Sequence, residues 1–247
     1  MKETISFDRA ADTYDSTRSL PPEIMSKVVD KLTMTFKSHD CKNLLDAGVG
    51  TGRFALPLGR SGFNVVGIDV SEKMLLEARR KDICNLFYGD LRALPFKSKK
   101  FDATLVVHVL HLIEEWKQAL SELQRVTMKI MTSVALKYPP KLSIYEQYRK
   151  ILLDTGWPRI HPGIGERDLI NEAEPSKIEH IVKYTEERIA DDILDILERK
   201  TYSFMWKIPN DLHNKIMKIL REGYSGKRLS YEYDLDIYIW DVDNQKF

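Results

Sequence analysis

Three glycines at alternate positions directly follow a short apolar run near residue 45, and this arrangement most narrows the folds open to the chain. The segment Leu44–Phe54 reads LLDAGVGTGRF. Gly48, Gly50 and Gly52 let the backbone bend sharply and let a ligand lie against the main chain. A helix is expected next, and its first unpaired N–H groups face the same turn. The segment therefore predicts a strand, a ligand-binding loop and a helix, in that order.

Strand-like and helix-like segments then alternate over the first half of the chain. Short apolar runs predict five strands, at Asn43–Ala47, Asn64–Ile68, Asn85–Tyr88, Ala103–Val107 and Ser133–Leu136. Amphipathic periodicity predicts helices at Pro21–Phe36, Phe54–Arg60, Glu72–Lys81 and Glu114–Val126. This order is typical of an α/β fold with a doubly wound, mostly parallel sheet. Such a sheet binds ligands at the carboxyl ends of its strands.

The second half follows a different pattern. It predicts a helix at Ser143–Leu153, a loop at Gly156–Gly165, strands at Lys177–Tyr184 and Tyr231–Trp240, and a helix at Asp211–Glu222 that Gly223 ends. Thr185 is expected to N-cap a further helix, with Glu186 and Glu187 in its first turn. We divide the chain into an N-terminal core at residues 1–137, a substrate-side cap insertion at 138–176, and residues 177–247, which complete the sheet.

Composition excludes several classes of protein. The chain has 247 residues, with 38 Lys and Arg against 37 Asp and Glu, and 43% are hydrophobic. A net charge of +1 gives no electrostatic reason to expect a nucleic-acid partner. We also expect no membrane span, because no run approaches the ~20 apolar residues that one needs. The N-terminus lacks an apolar signal core and two lone cysteines make no disulfide framework, so a cytoplasmic protein is expected.

Asp69 ends the second predicted strand, 21 residues after Gly48. A carboxylate at this place can accept hydrogen bonds from both hydroxyls of a ribose, although it could instead cap the helix that follows. The dinucleotide fingerprint G-x-G-x-x-G would need a third glycine where the chain has Arg53. The spacing therefore favours a nucleoside site and disfavours a nicotinamide-dependent oxidoreductase.

Four segments resemble the successive motifs of class I S-adenosylmethionine-dependent methyltransferases: Leu44–Phe54, Gly67–Ser71 (GIDVS), Gly89–Phe96 (GDLRALPF) and Phe101–Ile113 (FDATLVVHVLHLI). Phe7–Arg18 resembles the opening of the methyltransferase type 11 family, which includes enzymes of ubiquinone and menaquinone biosynthesis. The resemblance implies a Rossmann-like, seven-stranded sheet with an antiparallel last strand. One departure is Val126–Ile130, which stands where many members have a Pro-Gly-Gly turn.

The resemblance also implies a cofactor, S-adenosylmethionine, and a product, S-adenosylhomocysteine. It places Asp46 near the ammonium group of the cofactor, with the backbone of Gly48 and Gly50 facing the methionine part. Asp69 would hold the ribose hydroxyls. Carboxylates suit this ligand because it carries a sulfonium and an ammonium but no phosphate.

Further roles follow from the same resemblance. Val70 and Met74 would pack on the adenine. Asp90 would accept a hydrogen bond from the adenine amino group, with the Leu91 N–H beside the ring. At the other end, His108 would lie beside the methionine part. An N-terminal segment would close over the cofactor; its residues with expected roles are Tyr14 and Arg18, the latter as a partner for the cofactor carboxylate.

His108 and His111 are the candidates for a general base, if the acceptor needs one. They are three residues apart, but a metal site needs a third ligand and none lies nearby in sequence, so no metal is predicted. The diproline segment Tyr138–Lys141 follows the fifth strand, whereas the similar motif of amino methyltransferases follows the fourth, so that comparison fails. Eight aromatic residues predict a partly apolar acceptor pocket in the second half: Tyr138, Tyr145, Tyr148, Trp157, Tyr184, Tyr202, Phe204 and Trp206.

The function expected from these observations is methyl transfer to a small aromatic or apolar acceptor by in-line displacement. The alternatives are a methyltransferase that acts on RNA or protein and a non-catalytic protein that binds the same cofactor. The acceptor, its reacting atom and the oligomeric state stay open at this point.

Overall fold

A computed structural model describes residues 5–83, 85–137, 143–158 and 161–244. Its strands are β1 (Asn43–Ala47), β2 (Asn64–Asp69), β3 (Leu86–Tyr88), β4 (Phe101–Val106), β5 (Thr127–Lys137), β6 (Lys177–Ile189) and β7 (Arg228–Asp241). Its α-helices are α1 (Tyr14–Arg18), α2 (Pro22–Ser38), α3 (Ala55–Arg60), α4 (Glu72–Arg80), α5 (Trp116–Val126), α6 (Ile144–Asp154), α7 (Glu166–Glu172), α8 (Ala190–Glu198) and α9 (Asn210–Tyr224).

The strands form one sheet in the order β3-β2-β1-β4-β5-β7-β6. The pairs β3–β2, β2–β1, β1–β4 and β4–β5 are parallel, and the last strands are antiparallel. The predicted doubly wound α/β fold is therefore confirmed. The strand order reverses at β1, which lies between β2 and β4, and this is where an open α/β sheet forms its ligand crevice.

The register of these strands aligns the polar residues at their carboxyl ends. Asp46 of β1 lies opposite Gly67 of β2 and Leu105 of β4. Asp69, the last residue of β2, lies opposite Tyr88 of β3. Side chains that follow β1, β2, β3 and β4 consequently share one edge of the sheet.

The chain divides into two compact units. The first comprises Met1–Ala135, Pro162–Val182 and Leu235–Phe247, and the second comprises Leu136–His161 and Lys183–Asp234. The core of the first unit contains residues of β1, β4, α5 and β7. The predicted boundaries at residues 137 and 176 stay a prediction.

The second unit has its own core, in which helices α6, α8 and α9 pack together. Of the aromatic residues predicted to line an acceptor pocket, Tyr148 and Phe204 are buried in this core and Tyr145 packs against it. The Tyr148 hydroxyl is 2.8 Å from Nδ1 of His213. Tyr138 and the rest of the diproline segment lie outside the described residues.

The junction between α5 and β5 replaces the turn that many relatives build from Pro-Gly-Gly. Helix α5 ends at Val126, and β5 begins at the next residue. Thr127 makes this possible because its hydroxyl donates to the Leu123 carbonyl at 2.6 Å and lies 2.6 Å from the Thr104 hydroxyl in β4. A hydroxyl thus ties the last helical turn to the sheet without a glycine.

Two local predictions in the second half are wrong. Thr185, Glu186 and Glu187 lie within β6, and the helix with an acidic first turn begins only at Ala190. Cross-strand contact extends the strand, because the ring of Tyr184 stacks on that of Tyr233 with centroids 5.0 Å apart.

Gly223 does not end the last helix either. Helix α9 runs through it to Tyr224, and the left-handed glycine comes later, at Gly226 with φ +75°. Gly223 has ordinary helical geometry, so it supplies no conformation that another residue could not adopt.

No helix among the described residues is long and apolar enough to cross a membrane.

Gly52 offers a direct test of how closely the glycine loop packs. Its φ is +79°, and a Cβ would lie 2.0 Å from Cδ1 of Ile83. We expect Gly52→Ala to destabilise the fold by about 1 kcal/mol more than Gly62→Ala, because the end of the buried Ile83 side chain must move aside, whereas Gly62 has a similar φ of +94° but nothing within 4 Å of its added Cβ. Urea unfolding of both variants measures the difference, and equal losses would refute the close packing.

Candidate active site at the carboxyl edge of the sheet

Asp46 is a buried carboxylate at the end of β1, with an exposed fraction of 3%. Within the described part of the chain, its Oδ2 atom is buried and has no hydrogen-bond partner. Burial raises its pKa to about 7; the charge of Arg53 and an amide hydrogen bond from Ala55 oppose this rise, and the charge of Asp69 adds to it. Because buried polar atoms are normally paired, this oxygen is a candidate acceptor for a donor group of a ligand.

The glycine loop covers the space between β1 and β2. Gly48 has φ +78°, and a Cβ there would lie 2.8 Å from Cβ of Val109, so the backbone passes very close to the segment after β4. The Gly50 N–H donates to Oδ2 of Asp69 at 2.9 Å, and the Ser71 N–H donates to Oδ1 at 2.8 Å. Burial raises the pKa of Asp69, although these amide hydrogen bonds lower it.

Asp69 is not the N-cap of α4, because Ser71 has that role. Ser71 is the N-cap of α4 and accepts a hydrogen bond from the Met74 N–H at 3.2 Å. The amides of Ser71, Gly50 and Val70 occupy part of the Asp69 carboxylate, but a carboxylate has about four acceptor sites, so about one is left for a hydroxyl donor. Asp69 thus fixes the glycine loop, and its role toward a ribose stays a prediction.

The residues expected around an adenine occupy two different environments. Met74 and Leu91 are buried in the protein, whereas Val70 is partly exposed. Asp90 lies after β3 and is held by Arg92, whose Nη2 is 2.6 Å from Oδ2 of Asp90 and whose Nη1 is 2.8 Å from Oε2 of Glu115. Sequence reasoning did not find this ion pair, which orients Asp90 and shares its charge.

Tyr14 and Arg18 belong to the N-terminal segment, on helix α1. The guanidinium carbon of Arg18 is 5.2 Å from the ring centroids of both Phe7 and Tyr14, and the two rings meet edge to face. Arg18 is therefore placed by cation–π contacts. Its expected role toward a carboxylate stays a prediction.

Two carboxylates anchor the N-terminal segment to the ligand loops. Asp8 accepts hydrogen bonds from the Ser71 hydroxyl at 2.6 Å and from the Lys73 N–H at 3.1 Å, at the start of α4. Asp15 accepts from the Thr51 hydroxyl at 2.6 Å and from Nζ of Lys81 at 2.5 Å. These anchors were missed because nothing in the local sequence distinguishes them from ordinary surface acids.

Arg53, which breaks the dinucleotide fingerprint, has a structural use in the same place. Its Nη1 donates to the Arg18 carbonyl at 2.9 Å, and its charge lowers the pKa of Asp46. The residue that excludes the dinucleotide motif thus links the glycine loop to the N-terminal segment.

His108 and His111 follow β4 on the other side of β1. His108 has an unusual φ of +55°, and its side chain is 43% exposed. Its N–H donates to Oε1 of Glu166 at 2.5 Å, and its Nδ1 lies 3.4 Å from the same oxygen. His111 lies on a turn of 3-10 helix, and its carbonyl accepts from the Gly163 N–H at 3.0 Å.

Along this edge, Asp69 and Asp46 lie at the carboxyl ends of β2 and β1, and Asp90 and His108 follow β3 and β4, the neighbouring strands on either side. Three carboxylates and an unpartnered buried oxygen favour a cationic, hydroxyl-bearing ligand over a phosphate, which would be repelled. A histidine lies at one end of the series. Such an edge can bind a cationic nucleoside and hold a second reactant beside a proton acceptor.

Comparison with known proteins supports the resemblance noted in the sequence. Residues 45–129 match the family described as a methyltransferase domain. A demethylmenaquinone methyltransferase from Renibacterium salmoninarum is 38% identical over 123 residues, which are 49% of this chain and 52% of the relative. A malonyl-[acyl-carrier protein] O-methyltransferase from Erwinia pyrifoliae is 32% identical over 123 residues, which are 49% and 45%.

The chain spans about half the length of the curated relatives it matches. Among solved structures, the YcgJ protein from Bacillus subtilis superposes with a TM-score of 0.52 at 18% identity, covering 85% of this chain and 97% of that one. At this identity the likeness shows the fold. The matched segment runs from β1 to the start of β5 and contains Asp46, Asp69, Asp90 and His108.

The elevated pKa of Asp46 makes a testable statement about stability. An unfolded Asp titrates near 3.9, so the folded protein loses stability as pH rises from about 4 to 7, and the loss is complete above pH 7. Asparagine does not titrate, so the free energy of unfolding of Asp46→Asn should rise relative to that of wild type by about 2–3 kcal/mol as the pH goes from 5 to 8. Denaturant unfolding at each pH measures this difference.

Asp102→Asn is the matched control. Asp102 caps the Lys42 and Asn43 amides at the opposite edge of the sheet, and these hydrogen bonds hold its pKa below the usual range. This variant should show no relative gain between pH 5 and pH 8. A flat difference for Asp46→Asn would mean that its carboxylate is not buried as described.

Proposed function

We propose that the chain is an S-adenosylmethionine-dependent methyltransferase that acts on a small molecule. The observation that carries the proposal is the buried Oδ2 of Asp46, without a partner among the described residues and next to the glycine loop. The cofactor ammonium would supply the missing donor and its positive charge. A buried carboxylate paired with a cation gains a charge-assisted hydrogen bond, which offsets the cost of its burial.

The other residues of the edge divide the cofactor between them. Asp69 would accept a hydrogen bond from the ribose hydroxyls at the acceptor site that the three amides leave, and the backbone at Gly48 and Gly50 would face the methionine part. Val70 and Met74 would pack on the adenine. Asp90, which Arg92 orients, would accept a hydrogen bond from the adenine amino group, and the Leu91 N–H would lie at the ring.

The N-terminal segment closes this site. Asp8 and Asp15 hold the segment on the start of α4 and on the glycine loop. Tyr14 and Arg18 lie on that segment, so the same contacts bring a cation toward the methionine carboxylate. Because Asp15 contacts the glycine loop and Asp8 contacts the start of α4, a movement of the N-terminal segment would also move these two parts of the site.

When bound, the cofactor supplies an electrophilic methyl group on a sulfonium, which is transferred by in-line displacement to give S-adenosylhomocysteine. The chain itself aligns the acceptor and excludes water, a positional effect worth up to about 7–11 kcal/mol in favourable systems. His108 is the group that takes a proton from an acceptor, and His111 is the second candidate. No step needs a metal ion.

A small-molecule acceptor is favoured over RNA because a net charge of +1 gives the chain no overall electrostatic attraction for a polyanion. One relative is named a demethylmenaquinone methyltransferase and another a malonyl-[acyl-carrier protein] O-methyltransferase, so related domains serve different acceptors. We place the reaction in the cytoplasm, where the buried, unpaired thiol of Cys41 stays reduced.

The experiment that tests the function uses the purified protein and a cofactor labelled in the methyl group, incubated with fractionated small molecules, total RNA and a protein extract. The proposal predicts label only in a small-molecule fraction. Label in RNA or protein would support the alternative acceptors, and no label despite cofactor binding would support a non-catalytic binding protein.

Asp69→Ala should weaken the binding of S-adenosylhomocysteine by about 1–3 kcal/mol, because ribose hydroxyls lose their acceptor. Calorimetry gives the affinity. Asp102→Asn, at the opposite edge of the sheet, should bind as wild type does. Unchanged affinity of Asp69→Ala in a folded protein would overturn the role of this residue.

Cofactor binding should also release protons near pH 6.5. The Asp46 pKa of about 7 means that its carboxyl is mostly protonated there, and an ammonium partner ionises it. Titrations in buffers of different ionisation enthalpy should therefore show a release of roughly 0.8 proton per chain. Asp46→Asn should bind weakly and without this release, whereas an equal release from the variant would exclude Asp46 as its source.

A further inference from the structure

A carboxylate that is distant in sequence, that of Glu166, contacts the loop that follows β4. Glu166 is the first residue of α7, and its side chain is only 16% exposed. Its Oε1 accepts the His108 N–H and also lies 3.4 Å from Nδ1 of that histidine. One carboxylate oxygen thus contacts both the backbone and the ring of the candidate base.

Backbone hydrogen bonds build this arrangement. The Gly163 N–H donates to the His111 carbonyl at 3.0 Å, and the Ile164 N–H donates to the Leu110 carbonyl at 3.3 Å. A Cβ on Gly163 would lie 2.0 Å from the Leu110 carbonyl oxygen, so only glycine permits this approach. These hydrogen bonds hold Gly163 and Ile164 against the loop that follows β4. Glu166, which comes two residues after Ile164, consequently lies in contact with His108.

The backbone of His108 adopts a conformation that needs such support. Its φ of +55° is rare for a residue with a side chain, and holding it there costs on the order of 1 kcal/mol or more. The hydrogen bond from its N–H to Glu166 stabilises this conformation. Strained residues held in place by their surroundings concentrate at functional sites.

The charge of Glu166 suits a partner of histidine. Burial acts to raise its pKa, but the charge of His108, the hydrogen bond to His108 and the charge of His111 outweigh burial and hold the pKa at about 2. The carboxylate is consequently ionised at neutral pH. An acceptor at Nδ1 favours the tautomer that carries its proton on Nδ1, which leaves a lone pair on Nε2.

We propose that Glu166 is the positioning residue for His108: it holds the Nδ1–H tautomer and so makes Nε2 the nitrogen that can accept a proton. This inference rests on the proposed function. The acceptor X–H bond breaks, its proton passes to Nε2, and the electron pair stays on X as the nucleophile. The imidazolium faces the ionised carboxylate until it returns the proton to solvent, much as an aspartate supports the histidine of a catalytic triad.

The test reads the tautomer directly, without an acceptor. Long-range ¹H–¹⁵N NMR spectra of the six histidines are recorded at pH 8 for wild type, Glu166→Leu and Glu166→Gln, with signals assigned by His108→Asn. We expect mainly Nδ1–H at His108 in wild type and a several-fold shift toward Nε2–H in Glu166→Leu. Glu166→Gln keeps an acceptor oxygen and should retain much of the wild-type tautomer.

Glu172→Leu is the matched control, at the other end of α7, where the Glu172 carboxylate lies 3.8 Å from Nζ of Lys117. It should leave the His108 signals unchanged. The proposal is overturned if wild-type His108 carries its proton on Nε2, or if a folded Glu166→Leu keeps the wild-type tautomer. Titration with S-adenosylhomocysteine in the same samples tests the proposed function separately from the role of Glu166. Failure of wild type to bind S-adenosylhomocysteine would refute the proposed function, whereas the tautomer measured at His108 would be unaffected.

Discussion

The burial of the Asp46 carboxylate is the constraint around which the rest of the site is arranged. An isolated charge in a protein interior is costly, and here the cost appears as a pKa of about 7. An apolar or amide side chain at position 46 would give a more stable fold, because it would not bury an ionisable group. A buried, ionisable group with an oxygen left for an outside donor is the kind of sacrifice of stability that binding sites make.

The neighbouring elements can be understood as responses to that constraint. The glycine loop brings backbone close to the end of β1, and Asp69 fixes the loop through Gly50. Arg53 contributes positive charge near Asp46 and links the loop to the N-terminal segment, which Asp8 and Asp15 hold in place. A ligand that donated a hydrogen bond to Asp46 would therefore lie beside the glycine loop, which Asp69 and Arg53 already connect to β2 and to the N-terminal segment.

Sequence reasoning succeeded where a local pattern fixes a place in the fold. The alternation of strands and helices predicts a parallel sheet, and parallel strands bring their carboxyl ends to one edge, so Asp46 and Asp69 could be placed there from their positions alone. The helices that bury regular apolar stripes were found for the same reason. The direct passage from α5 to β5 depends on the Thr127 hydroxyl, which no periodicity reports.

The parts that escaped prediction depend on contacts between distant residues. Glu166 is 58 residues from His108 and lies in a segment without a readable motif, so its role appears only when Gly163 and Ile164 dock on the loop. Thr185 has the composition of a helix cap, but the stacking of Tyr184 on Tyr233 keeps its neighbourhood extended. Local preference loses at these positions because tertiary contacts are stronger than capping.

The central claim is that the carboxyl edge binds a cationic, phosphate-free nucleoside. Parallel calorimetric titrations of the wild-type protein with S-adenosylhomocysteine and with NADH test it most directly, since both ligands carry an adenosine and only the first carries an ammonium without a phosphate. The account predicts saturable binding of one S-adenosylhomocysteine per chain and no measurable binding of NADH. Tight binding of NADH with none of S-adenosylhomocysteine would contradict it.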